Sequence, residues 1–337
     1  MLLVHHPSSQ RHDPAALSPD HPDNPVRIAA VEAAIAASRL AAPRRLSAPA
    51  ATGAELRRVH TDTHIEFIRT LCESGGGQID SDTFVGEASY DAALHAAGGA
   101  CAMVRELVDG DEDRGFCALR PAGHHADRDR AMGFCLFNNV ALAAELAVRE
   151  LGVPRVLIID WDVHHGNGTA EIFRRRSDVL VANIHQAGLF PGTGALTDTG
   201  SGEGRGFTVN VPVPRGSDEA VWLSVLEHVI IPIGHDFRPG LILISAGYDA
   251  SATDPLGECR LEASSFGAMT CHVRDLADQV GAPIGAVLEG GYDPVALGAG
   301  VVATLAALAG EGDTDWIAPD PLITARVASH FGHFWTL

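Results

Sequence analysis

The chain has 337 residues, 46% of them hydrophobic, and a formal charge of −19 at neutral pH. That is enough apolar sequence for a large core, and the acidic balance disfavours nonspecific binding to nucleic acid. No stretch reaches the roughly 18 to 20 uninterrupted apolar residues of a membrane span, and the start, Met1-Leu2-Leu3-Val4-His5-His6-Pro7, lacks a basic region followed by an apolar run. The expectation is a cytoplasmic protein with neither nucleic acid nor membrane as partner.

In chain order, short β-branched runs predict strands at 2–5, 115–119, 155–160, 179–184, 207–211, 241–245 and 283–288. Ala- and Leu-rich stretches predict helices at 26–38, 90–108, 138–151, 218–230, 263–280 and 294–309, with Asn138 or Asn139 capping the third. This alternation is that of an α/β fold, an open parallel β-sheet flanked by helices on both faces. The Gly-rich stretches 74–77 and 200–204 read as loops too short to separate distinct folding units, so one domain over 1–337 is expected. Six scattered cysteines without a C-x-x-C pair argue against both a disulfide framework and a thiolate metal site.

Four of the strands run into polar clusters. The first is His124-His125, after Pro121 and Gly123; the second is Asp160-x-Asp162-x-His164, with Asn167 beyond it. The third is Asp249, after Ala246-Gly247-Tyr248, and the fourth is Tyr292, after Glu289-Gly290-Gly291. In an open α/β sheet ligands sit beyond the carboxyl ends of the strands, so the four can meet in one crevice. If the 160–164 segment is extended, its three polar side chains point one way, as in a metal site. Two carboxylates and an imidazole suit Zn²⁺ with open positions for water and substrate. Adjacent imidazoles can serve as acid and base if each has an orienting partner, and Asp160 and Asn167 are available, one charged and one neutral. A phenol after two glycines can hydrogen-bond a developing oxyanion. Phe134 after Gly133, and Phe190 in Phe-Pro-Gly-Thr-Gly, are rings that can wall a slot for an aliphatic chain or pack the core.

These residues carry a resemblance over nearly the whole chain. With His21-Pro22-Asp23-Asn24-Pro25-Val26-Arg27, Arg120-Pro121-Ala122-Gly123-His124-His125, Gly133-Phe134-Cys135, the 160–168 segment, Phe190-Pro191-Gly192-Thr193-Gly194, Ser245-Ala246-Gly247-Tyr248-Asp249 and Leu288-Glu289-Gly290-Gly291-Tyr292, the sequence resembles the histone deacetylase superfamily. It is nearest to class II and bacterial amidohydrolase members, because Asn167 stands where class I enzymes have Asp. The resemblance implies an arginase/deacetylase-type fold and zinc-dependent hydrolysis of acyl amides, with an acetyl-lysine or related acylated amine as substrate. It makes Asp162, His164 and Asp249 the zinc ligands and leaves Asp254 structural. It makes His124, His125 and Tyr292 the catalytic groups, Asp160 and Asn167 the partners of the histidines, and Gly133, Phe134, Phe190 and Leu256 the acyl tunnel. Arg27 matches an arginine of an internal pocket beneath the metal.

A structural K⁺ is also implied, near Asp160, Asp162, His164 and the strand end Asn183-Ile184. Leu256 occupies the place of a gatekeeper Glu in polyamine-selecting relatives, which disfavours acetylpolyamines. The rival readings are an acetylpolyamine or biosynthetic small-molecule amidohydrolase, a binuclear manganese hydrolase of related fold, and a non-catalytic homologue that binds acyl ligands. A homo-oligomer is compatible with the sequence.

Overall fold

A computed structural model describes residues 1–315 and 317–337. Its centre is an eight-stranded sheet built from β1 (Leu2–His5), β2 (Arg44–Ser47), β5 (Arg114–Cys117), β6 (Val156–Asp160), β7 (Val179–Gln186), β8 (Thr208–Val213), β9 (Leu241–Ala246) and β10 (Ile284–Leu288). The spatial order is β2-β1-β5-β10-β9-β6-β7-β8, and every neighbouring pair is parallel. A separate two-stranded antiparallel ribbon, β3 (Gly77–Gln78) with β4 (Phe84–Val85), claims the end of a Gly-rich stretch expected to be loop throughout.

Strand side chains alternate between faces, and the alternation divides the core in two. Leu3, Leu157, Ile159, Ile242, Ile244, Ala286 and Leu288 pack on one side with the helices Val26–Ala37, Ala263–Val280 and Pro294–Leu308. Leu2, Val4, Val156, Ile158, Leu241, Leu243 and Val287 pack on the other with Ser89–Asp109 and Asn139–Arg149. Both faces are thus buried, which is why these strands read as unbroken apolar runs. Each fully buried Leu, Ile or Val contributes about 1.5–3 kcal/mol by leaving water.

All seven expected strands form, with ends displaced by at most two residues. Asn138 caps its helix, its side-chain oxygen accepting the Ala141 amide at 3.0 Å. The helix expected to stop at residue 230 instead passes through a π-helical turn at Leu226–Ile230 and runs on to Phe237. The unexpected strand β2 lies at the sheet edge and carries exposed Arg44 and Arg45, charges that discourage pairing with another sheet. Beyond the six expected helices the chain also forms the short Gly53–Leu56 and Asn167–Phe173 and the longer Asp62–Glu73 and Pro321–Phe331. No helix among the described residues is long and apolar enough to cross a membrane. All six cysteines are free and buried.

Candidate active site

The order β5-β10-β9-β6 sets side by side the four strands whose ends carry polar clusters, so the 118–126, 161–167, 247–249 and 289–292 segments share one edge of the molecule. Between them opens a cavity of about 460 Å³. His125, His164 and Tyr292 line it with Gly133, Phe134, Leu189, Phe190 and Leu256, and Ser18, His21, Asp82 and Phe84 form part of its outer wall.

β6 ends at Asp160, and the residues after it bend instead of continuing extended. The bend is held by the aspartates themselves: Asp160 Oδ1 accepts the Asp162 amide at 3.1 Å, and Asp162 Oδ1 accepts the His164 amide at 2.9 Å. The extended-segment expectation is therefore corrected, because short carboxylates bonding backbone two residues on make turns. The consequence is a division of labour. Asp160 turns to His124, whose Nδ1–H donates to Asp160 Oδ2 at 3.0 Å, while Asp162 and His164 meet Asp249.

His164 Nδ1 lies 3.1 Å from both Asp162 Oδ1 and Asp249 Oδ2. One donor atom from each of the three residues falls within 4.8 Å of the others, and all three are buried. Burial alone would favour neutral groups here, yet the two carboxylates raise the His164 imidazolium to about 10. Burial and the nearby Asp162 charge push Asp249 up to about 7. Two facing carboxylates thus hold a charged imidazole between them, and a metal ion bound in the same place would take over from that proton.

The surrounding backbone is pressed against that set. A Cβ on Gly290 would stand 2.0 Å from Asp249 Oδ2 and 2.5 Å from Asp162 Oδ2, and one on Gly247 would stand 2.3 Å from Asp162 Oδ2. The carboxylates are also anchored, Asp162 Oδ2 by the Gly290 amide at 2.8 Å and Asp249 Oδ1 by the Val163 amide at 2.8 Å. Hard oxygen donors plus one imidazole nitrogen, fixed from behind and open to a cavity, fit a divalent ion such as zinc.

The tandem histidines differ as their partners do. His125 Nδ1–H donates to Asn167 Oδ1 at 2.8 Å, and Asn167 is fixed in turn by its amide bonds to the His125 carbonyl and Met132 Sδ. Burial, then His124 and His164, hold His125 well below the ordinary imidazole value. His124 is as deeply buried, but Asp162 and Asp160 outweigh the burial and hold it well above that value. A neutral partner and a charged one thus give adjacent imidazoles opposite protonation tendencies.

Tyr292 is backed by Arg27, whose guanidinium lies 4.7 Å from the ring centroid, and faces Phe134 edge-on at 5.7 Å. Its amide donates to Asp254 Oδ2 at 2.6 Å, so Asp254 anchors this turn and stands apart from the Asp162–His164–Asp249 set. Burial, opposed by Arg27 and reinforced by Asp249 and Asp162, holds the phenol far above its usual value, so it stays a donor. Arg27 itself does not line the cavity: it donates to Asp23 Oδ1, the Gly291 carbonyl and the Glu289 carbonyl, each at 2.6 Å. Phe134 sits at φ +66, rare for a bulky residue, and Gly133 before it at +54, where a Cβ would meet His125 at 2.4 Å. Phe134 carries the backbone strain, while Gly133 takes its positive φ freely and lets the backbone approach the imidazole.

His21 and Asp82 at the outer wall were not singled out as site residues in the sequence, and neither was Glu289. His21 donates from Nε2 to the Asp82 carbonyl at 2.8 Å, which ties the two wall segments together. His21 and Glu289 stand in stretches that carry the family resemblance, but loops far apart in sequence meet here, so nothing local to His21 pairs it with Asp82.

The sheet order and the site at its carboxyl edge define the arginase/deacetylase type of α/β fold. Within it the chain belongs to the histone deacetylase family, whose described domain, "Histone deacetylase domain", matches residues 21–308. It is 43% identical over 248 residues to "Histone deacetylase-like amidohydrolase" of Pseudomonas aeruginosa, covering 73% of this chain and 65% of that protein. It is 43% identical over 314 residues to a Methanothermobacter thermautotrophicus protein described as "Probable deacetylase", covering 92% of this chain and 91% of that one. Among solved structures, the "HDA15 HD domain" superposes with a TM-score of 0.91 at 34% identity, over 99% of this chain and 97% of that one.

Proposed function

We propose that the chain is a single catalytic domain that hydrolyses acyl amides with zinc, removing an acetyl or related acyl group from a lysine side chain or another amine. The observation that carries this reading is that the buried Asp162–His164–Asp249 cluster reaches, through His164, the apolar cavity that His125 and Tyr292 also line. Asp162, His164 and Asp249 would hold the zinc, which when bound supplies Lewis acidity that makes a carbonyl more electrophilic and water more acidic.

The protein's own groups do the rest. Gly133, Phe134, Phe190 and Leu256 take the aliphatic arm of the substrate and exclude water from it. His125 donates from Nδ1 to Asn167, which leaves Nε2 free to take a proton from the attacking water as general base. His124, bonded through Nδ1 to the Asp160 carboxylate, which favours its charged form, supports the growing negative charge, and an imidazolium of the pair gives its proton to the leaving amine. The Tyr292 hydroxyl donates to the oxyanion that forms as water adds to the carbonyl. Arg27 positions that tyrosine from behind instead of touching substrate. A structural K⁺ would draw on Asp160, which the backbone at Gly166 approaches so closely that a Cβ there would stand 2.1 Å from its Oδ2.

The test is a panel of acetyl-lysine peptides, acetylpolyamines and longer acyl or aryl amides, with zinc-loaded protein and with Asp249→Ala as control. Hydrolysis of one class, lost in the control, is expected. No hydrolysis of any amide by protein holding one zinc per chain would sink the proposal.

A further inference from the structure

Glu289 is fully buried, a costly place for a carboxylate unless its oxygens are satisfied. They are. Oε2 accepts the backbone amides of Gly123 at 2.7 Å and His124 at 3.1 Å, and Oε1 accepts the Ser245 hydroxyl at 3.2 Å. The backbone of Glu289 is fixed as well, its amide donating to the Ala246 carbonyl at 3.0 Å and its carbonyl accepting from Arg27.

On its other side the 121–124 loop has no slack. Asn139 Nδ2 donates to the Pro121 carbonyl at 3.0 Å, and a Cβ on Gly123 would stand 2.5 Å from the Asn139 amide. The loop that carries both histidines is therefore gripped between the start of the helix Asn139–Arg149 and one carboxylate. That carboxylate stands one residue before Gly290, whose amide anchors Asp162, and three before Tyr292. A single short segment thus holds the histidine loop, a candidate ligand and the phenol in mutual register.

We propose that Glu289 is the positioning residue that sets the tandem histidines against the other reacting groups, acting through the Gly123 and His124 amides. This rests on the proposed amide hydrolysis. His124, Cys135 and Glu289 also offer donor atoms within 4.8 Å of one another, but a carboxylate already accepting three hydrogen bonds makes a poor second metal site.

The experiment compares Glu289→Asp, which is one methylene too short to reach the amides, Glu289→Leu, which has no acceptor, and Glu289→Gln, which keeps one. Zinc content, kcat, KM, the pH profile of kcat/KM and hydrogen exchange of the 121–126 segment are read on each. Asp and Leu are expected to lower kcat by roughly 10- to 100-fold, the usual loss for a group supporting a reacting one, with KM and zinc content kept. Their exchange at 121–126 should quicken and the pH profile move, while Gln restores most of the turnover. Faster exchange with unchanged kcat in Glu289→Asp overturns the positioning role alone, as does Gln proving as poor as Leu. An unsubstituted, zinc-loaded protein that hydrolyses no acyl amide overturns the proposed function and this role with it.

Discussion

Substituting Gly290 by alanine tests the metal site without touching a proposed ligand. The added methyl would stand 2.0 Å from Asp249 Oδ2 and 2.5 Å from Asp162 Oδ2. Ordinary van der Waals contact lies near about 3.5 Å, so one oxygen must retreat by about 1.5 Å and the other by about 1 Å. Neither is the loose end of a flexible chain, since each carboxylate is tied to a backbone amide at 2.8 Å. Ligand distances in a working metal site hold to within about 0.2 Å, so shifts of this size take both oxygens out of coordination. Zinc affinity should fall by at least the roughly 100-fold seen at the upper end for lost supporting contacts. Competition with a chromogenic chelator measures the Kd, elemental analysis the stoichiometry, and circular dichroism that the fold persists. A folded Gly290→Ala protein binding one zinc with unchanged Kd would refute the assignment of these carboxylates as ligands.

Other consequences are equally direct. Tyr292→Phe should lower kcat by roughly 100-fold or more while zinc stays bound, the scale of one lost oxyanion donor; unchanged steady-state turnover would exclude the phenol from the chemistry. Gly133→Ala places a methyl 2.4 Å from the His125 ring and 2.9 Å from Phe190, and its φ of +54 adds strain, so hydrolysis of long acyl-lysine substrates should be nearly lost in the same assay. Burial, joined by neighbouring His64, pushes His60 down to about 3, and burial with His165 does the same to His185. Both stay neutral in the folded protein while the unfolded chain takes up protons below about 6.5, so stability is full above that pH and is lost as pH falls toward 3. Each contributes about 1.4 kcal/mol per pH unit across that window, and urea titrations of His60→Gln should show the slope reduced by about one proton. An unaltered slope would mean that His60 is already protonated in the fold.

How much of this was legible in the sequence depended on range. The strands could be read because burial on both faces leaves unbroken apolar runs such as Leu157-Ile158-Ile159 and Leu241-Ile242-Leu243-Ile244. The helix Asp62–Glu73 went unread although Thr61 caps it and Ile65, Ile68 and Cys72 recur on its buried face, because polar residues dilute that stripe. Pro321–Phe331 went unread although Asp320-Pro321 is a capping start, since its apolar face is complete only against the rest of the core. The strand β2 left no apolar trace, because a charged edge strand is held by backbone pairing with β1.

For the candidate site, the sequence by itself determined which residue types stand at the ends of four strands, with glycines directly before Tyr292 and two residues before Asp249. It did not determine their assembly. Only the tertiary structure decided that β5, β10, β9 and β6 are neighbours, that Asp160 turns from the other carboxylates toward His124, that Arg27 stands behind Tyr292 instead of lining the cavity, and that Glu289 grips the histidine loop. The reason is physical: side-chain type and local spacing are written along the chain, whereas strand order and the reach of one carboxylate to amides 166 and 165 positions away depend on how the whole sheet packs.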